Sequence, residues 1–171
     1  MKSHTQVVII GGGSLGISLL YHLTKEGWTD LLLVEKGELT SGSTWHAAGL
    51  CSNFIGNMTV AKIHDYSIRL YNEILPEETG EESSFHQTGS IRIGYSRLEE
   101  EWFRNLDSRA KNVPCEFNII SQAEAQDLHP WANFDKARII VSTPNDGHVD
   151  PSSVAMPLAQ LARSKGADIS R

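Results

Sequence analysis

The stretch Val7-Val8-Ile9-Ile10-Gly11-Gly12-Gly13-Ser14-Leu15-Gly16 decides the fold. Val7–Ile10 is wholly apolar and β-branched, the pattern of a parallel strand buried on both faces. Gly11, Gly13 and Gly16 then make GxGxxG at the point where a helix should begin. In that context the first glycine permits a tight turn and the second lets backbone approach a pyrophosphate. The third lets helix and strand pack closely. A helix is predicted from Ser14 to Glu26, with Leu15, Leu19, Leu20 and Leu23 at helical spacing and Gly27 as terminator. Leu31–Val34 is the next strand. Glu35 stands at its carboxyl end, 24 residues after Gly11, placed to accept hydrogen bonds from ribose hydroxyls. Strand, turn, helix and strand form one βαβ unit over residues 7–35; the competing reading is a glycine-rich turn without a ligand.

The chain then leaves this pattern. Residues 38–56 are rich in Gly, Ser, Thr and Ala and lack periodicity, which predicts an ordered loop with room for one short helix. A helix is expected over 59–75, with Ile63, Ser67, Leu70, Tyr71 and Ile74 on one face, followed by an acidic loop at 77–82. Ile91, Ile93 and Tyr95 alternate as in a half-buried antiparallel strand. Ser96 with Glu99, and Ser121 with Glu124, are capping-box patterns opening two helices. The first should place Leu98, Trp102 and Leu106 inward. Residues 137–141 read as a strand. Asp150-Pro151 reads as an N-cap followed by proline at the first helical position. That helix should run to Lys165, and a last strand begins at 167. The fold class expected is α/β: a Rossmann-like dinucleotide-binding domain with an inserted antiparallel α+β segment. Its parts are 1–56, the inserted 57–148, and a return over 149–171.

The fingerprint by itself does not separate NAD from FAD. An NAD domain would proceed quickly to a third parallel strand. Here Thr40–Gly49 intervenes, and its amides and hydroxyls suit the pyrophosphate and ribityl chain of a longer cofactor, which favours FAD. Composition narrows the class further. A net charge of −6 with scattered basic residues argues against nucleic acid. No apolar run approaches the ~18–20 residues of a membrane helix. The short lead before Val7 leaves no room for a signal or transit peptide, so the expected location is cytoplasmic. Cys51 and Cys115 suggest neither a disulfide framework nor a zinc site. Asn57-Met58-Thr59 matches a glycosylation pattern by chance.

GGGSLGISLLYHL (11–23), VEKGELTSGSTWHAAGL (34–50), TGSIRI (88–93) and DGHVDP (146–151) together resemble the dimethylglycine and sarcosine dehydrogenase group. These are D-amino-acid-oxidase-like flavoenzymes, and the resemblance covers essentially the whole chain. It implies an incomplete Rossmann-like FAD-binding domain, with 38–50 as its flavin loop, and an inserted antiparallel α+β substrate-domain segment. It implies an oxidoreductase that moves a hydride equivalent from an N-methyl carbon of a glycine derivative to flavin. By the same resemblance, the ring of His46 carries FAD covalently through the flavin 8-methyl carbon. The cofactor-binding residues expected are Gly11, Gly13, Ser14, Leu15, Gly16, Glu35, Lys36, Ser43, Thr44, His46, Ala48 and Gly49. The resemblance also implies tetrahydrofolate on a further C-terminal domain and an electron acceptor, either oxygen or an electron-transfer flavoprotein. The rest of the enzyme would follow as a continuation or a second chain. Family members in eukaryotes are mitochondrial.

No catalytic acid or base is assigned. Two rivals stay open: a noncovalent FAD oxidoreductase acting on another amino or hydroxy acid, and a non-enzymatic regulatory homologue. Arg92 is read as an outward surface charge in preference to a substrate-carboxylate ligand. His148 is read as part of a turn. His22, His64, His86 and His129 receive no site role, and no histidine pair has metal-ligand spacing in the sequence, so no metal is expected. Leu20 replaces the small residue common in this helix among flavoproteins.

Overall fold

The computed structural model describes residues 4–53, 56–112 and 115–171, and the chain divides into two compact units. The first comprises 1–49, 71–84 and 149–171; the second comprises 50–70 and 85–148. The sequence placed 71–84 in the inserted segment, whereas these residues group with the first unit.

The first unit is built on β1 (Val7–Ile10), α1 (Ser14–Lys25) and β2 (Leu31–Val34). Helix α6 (Pro151–Ser164) then leads to β8 (Asp168–Ser170). All three strands are parallel, in the order β1-β2-β8. Asp150 caps α6 through Ser153, as its Asp-Pro sequence requires. One expectation needs correcting. Leu15 is 87% exposed and Leu19 half exposed, while α1 buries Ile17, Leu20, Tyr21 and Thr24. The helix is apolar on two stripes, and packing against α6 selects the second. Burying Ile17 and Leu20 contributes about 1.5–3 kcal/mol each.

Glu78, on α3 (Leu75–Thr79), ties this unit together. Tyr21 donates its hydroxyl to Glu78 at 2.8 Å, and Lys25 and Lys165 pair with the same carboxylate at 3.2 and 3.1 Å.

The second unit holds an antiparallel sheet of β4 (Ser90–Gly94), β6 (Ile139–Thr143) and β5 (Asn118–Ile120), with β6 central. Helices α4 (Arg97–Ala110) and α5 (Gln122–Leu128) both open on the capping boxes read from the sequence. Again the inward face differs: α4 buries Phe103, Leu106 and Ala110, and leaves Leu98 and Trp102 exposed. A two-stranded ladder, β3 (Leu50–Cys51) with β7 (Gly147–His148), had no signature in the sequence.

Helix α2 (Met58–Arg69) passes through a π-helical turn at Leu70–Ile74 into α3. Helix α2 buries Ala61 and Ile68 and the π-helical turn buries Leu70, while Ile63 faces solvent. Asn57, noted for its glycosylation pattern, is the N-cap of α2 and accepts from Thr59 and Val60. No helix of the described residues is long and apolar enough to cross a membrane.

Candidate cofactor groove

The glycine turn, the end of β2 and residues 40–44 enclose a groove of about 530 Å³ in the first unit. It gathers Gly11, Gly13, Ser14, Leu15, Gly16, Glu35, Lys36, Ser43 and Thr44 from the expected set. His46, Ala48 and Gly49 are not among its walls. The turn is built as its glycines require. Gly11 adopts φ +109°, and a Cβ on Gly16 would fall on the Gly11 carbonyl.

Every donor near the turn can be accounted for. The Gly11 N–H donates to Val34, Gly12 to Glu35, and Ser14 to the Thr44 hydroxyl at 2.9 Å. The amides of Gly13, Leu15 and Gly16 have no partner among the described residues, and α1 carries no acidic residue in its first turn. Three free N–H groups at the positive end of a helix suit an anion, so the residues present fit a dinucleotide's phosphates.

Glu35 is ordered before any ligand arrives. Its two oxygens accept from Gly12 at 2.7 Å and from Gly37 at 2.9 Å. These backbone bonds, Gly12 first, hold its carboxyl below the usual range. Each oxygen keeps a lone pair for a ribose hydroxyl.

The sequence reading missed Gly12 and Thr40. Thr40 is buried with φ +67°, an uncommon conformation for a β-branched residue. Its N–H donates to Gly12, its carbonyl accepts from Trp45, and its hydroxyl lies 3.1 Å from Ser152. Thr40 and Thr44 therefore fasten residues 38–46 onto the glycine turn. Strain held by several partners is characteristic of functional loops. The middle glycine of the Gly11–Gly13 run was the only local hint.

His46 is exposed, with Nδ1 2.9 Å from the Gly42 carbonyl oxygen. A carbonyl only accepts, so Nδ1 carries the proton and the neutral ring presents its lone pair at Nε2. The segment around it is a series of turns without a helix.

Arg92 is not the surface charge expected. It is partly buried on β4 and pairs at 3.1 Å with Asp146, whose side chain is 4% exposed. Asp146 also accepts from the Asn53 N–H and from the hydroxyls of Ser90 and Thr143, all at 2.6–2.7 Å. No role for Asp146 is legible along the chain, because its partners come from remote positions.

The family model for FAD dependent oxidoreductases (DAO) matches residues 6–171. The chain belongs to this family. It is 45% identical over 166 residues to human mitochondrial dimethylglycine dehydrogenase, covering 97% of this chain and 19% of that protein. Human mitochondrial sarcosine dehydrogenase is 35% identical over 169 residues, covering 99% and 18%. The chain thus spans about a fifth of the length of these relatives. Among solved structures, L-proline dehydrogenase from P. horikoshii superposes with a TM-score of 0.90 at 24% identity, over 100% of this chain and 45% of that one. That likeness bears on the fold alone, and it agrees with the incomplete Rossmann-like α/β class expected from the sequence.

Proposed function

We propose that this chain supplies the phosphate- and ribose-binding part of the flavin site in an enzyme that oxidises N-methylated glycine derivatives. The amide groups of Gly13, Leu15 and Gly16 hold the pyrophosphate, Glu35 accepts from the adenosine ribose, and Ser43, Thr44 and Lys36 line the approach. When bound, FAD supplies the hydride acceptor. The substrate loses a hydride from its N-methyl carbon. The resulting iminium ion adds water and releases formaldehyde and the demethylated amine.

One observation carries the covalent reading: the Gly42 carbonyl fixes the His46 tautomer and leaves Nε2 as a free nucleophile. A bond from Nε2 to the flavin would keep the cofactor from dissociating. The amine class rests on the likeness to dimethylglycine and sarcosine dehydrogenases.

Two assays on the holoprotein, produced from the complete reading frame, test the two parts: acid precipitation tests the covalent link, and amine-dependent reduction of an electron acceptor tests the substrate class. The flavin is expected in the pellet, and His46→Gln should release it to the supernatant. Flavin in the supernatant of the unaltered protein would overturn the covalent link. Failure to reduce an artificial electron acceptor with dimethylglycine or sarcosine would overturn the substrate class.

A further inference from the structure

We propose that His86 and His148 form a chelating site for a borderline divalent cation of the Zn2+, Ni2+ or Cu2+ class. The two residues face each other across an isolated antiparallel bridge in the second unit, closed by both N–H···O bonds at 2.9 and 3.0 Å. Directly opposed residues on such a bridge project to the same side. Both side chains are exposed, and their ring centroids lie 5.1 Å apart. Two imidazoles bound to one metal at N–metal distances of about 2.0–2.1 Å and a tetrahedral angle have ring centres about 5 Å apart. The observed spacing meets that requirement without moving the backbone.

The other histidines show why this pair stands out. Nδ1 of His22, His46 and His64 each engages a backbone carbonyl, at 2.7, 2.9 and 2.7 Å. Neither ring nitrogen of His86 or His148 has a hydrogen-bond partner among the described residues. Four ring nitrogens thus remain available on one patch, and neutral imidazole is a good ligand for these metals.

The bridge is also held from beneath. Phe85 is buried on the opposite side, and a Cβ on Gly147 would meet its ring at 2.6 Å. Phe85 over Gly147 locks the register, so little ordering cost falls on the metal. Two protein ligands leave the remaining coordination positions to water, which makes the site open and exchangeable.

Calorimetric titration of the full chain with Ni2+ is the test. One equivalent should bind. His86→Gln and His148→Gln should each weaken binding roughly tenfold or more, because chelation becomes single-point attachment. His129→Gln should leave it unchanged. Parent-like binding by either of the first two variants, or equal weakening by the third, would overturn the site. On the unsubstituted protein, Ni2+ should broaden the backbone amide signals of residues 86 and 148 before all others. Earlier broadening elsewhere would overturn it without recourse to variants.

Discussion

The glycine groove of the first unit and the Asp146 centre of the second are both polar and both ordered, yet they treat their hydrogen bonds oppositely. At the groove, the Gly13, Leu15 and Gly16 amides are left unclaimed, and Glu35 is fixed while retaining acceptor capacity. At Asp146, four donors converge on one buried carboxylate. A polar centre that holds donors in reserve is arranged for a ligand, and one that uses them internally is arranged for stability.

The sharpest way to break this contrast is at Asp146. Asp146→Ala should cost about 3–5 kcal/mol, because it removes the shared acceptor of the Asn53 amide, the Ser90 and Thr143 hydroxyls and the Arg92 guanidinium. Urea unfolding of the chain measures it, and a loss below about 1 kcal/mol would mean that the carboxylate is not a structural hub. Gly16→Ala follows. The new methyl must displace the Gly11 backbone, so a cost of about 1–3 kcal/mol is expected. Flavin retention should fall with it, whereas Asp146→Asn should lower stability without altering the groove.

The Glu78 cluster sharpens the comparison, because it shares a unit with the groove but behaves like the hub. Burial pushes the Glu78 carboxyl upward, but bonds from Tyr21, Lys165 and Lys25 outweigh it and hold the group below the usual range. A depressed carboxylate stabilises above its unfolded pKa of about 4.3, and that contribution is lost as pH falls through the folded value. Glu78→Gln should therefore flatten the acid limb of a stability–pH curve. Tyr21 has the opposite sign. Burial, then the bond to Glu78, pushes it up to about 12. Its contribution is intact below about pH 10 and lost as pH rises toward 12. Tyrosinate absorbance should show one late-titrating tyrosine, and Glu78→Gln should bring it earlier.

The smallest effect is expected at His46. Exposed, and bonded by its ring to Gly42 alone among the described residues, it should tolerate Gln within about 0.5 kcal/mol in urea unfolding. Loss of flavin retention with stability unchanged would place it on the ligand side of the comparison.

Much of the groove was legible in the chain. Gly11, Gly13, Gly16 and Glu35 belong to one βαβ unit, where strand, turn and helix are neighbours in sequence and their geometry leaves few alternatives. The capping boxes at Ser96 and Ser121, and the Asp150 cap, were legible for the same local reason. Faces were not. Helices α1 and α4 each carry two apolar stripes, and periodicity does not say which one meets a partner. Leu98 and Trp102 were therefore assigned inward and lie outward, and Leu15 and Leu19 of the helical series in α1 are exposed too. Thr40 escaped because a threonine at positive φ has no sequence signature; its partners Gly12 and Ser152 impose it.

The sequence by itself determined the dinucleotide fingerprint and the acidic residue after the second strand, while His46 was singled out by family resemblance. The fingerprint and the acidic residue rest on short-range chain geometry. The tertiary structure alone decided that Asp146 gathers Asn53, Ser90, Arg92 and Thr143. It also brought His86 against His148, 62 residues along the chain. Strand pairing joins residues by register and not by spacing, so no count along the sequence reveals which side chains it sets face to face.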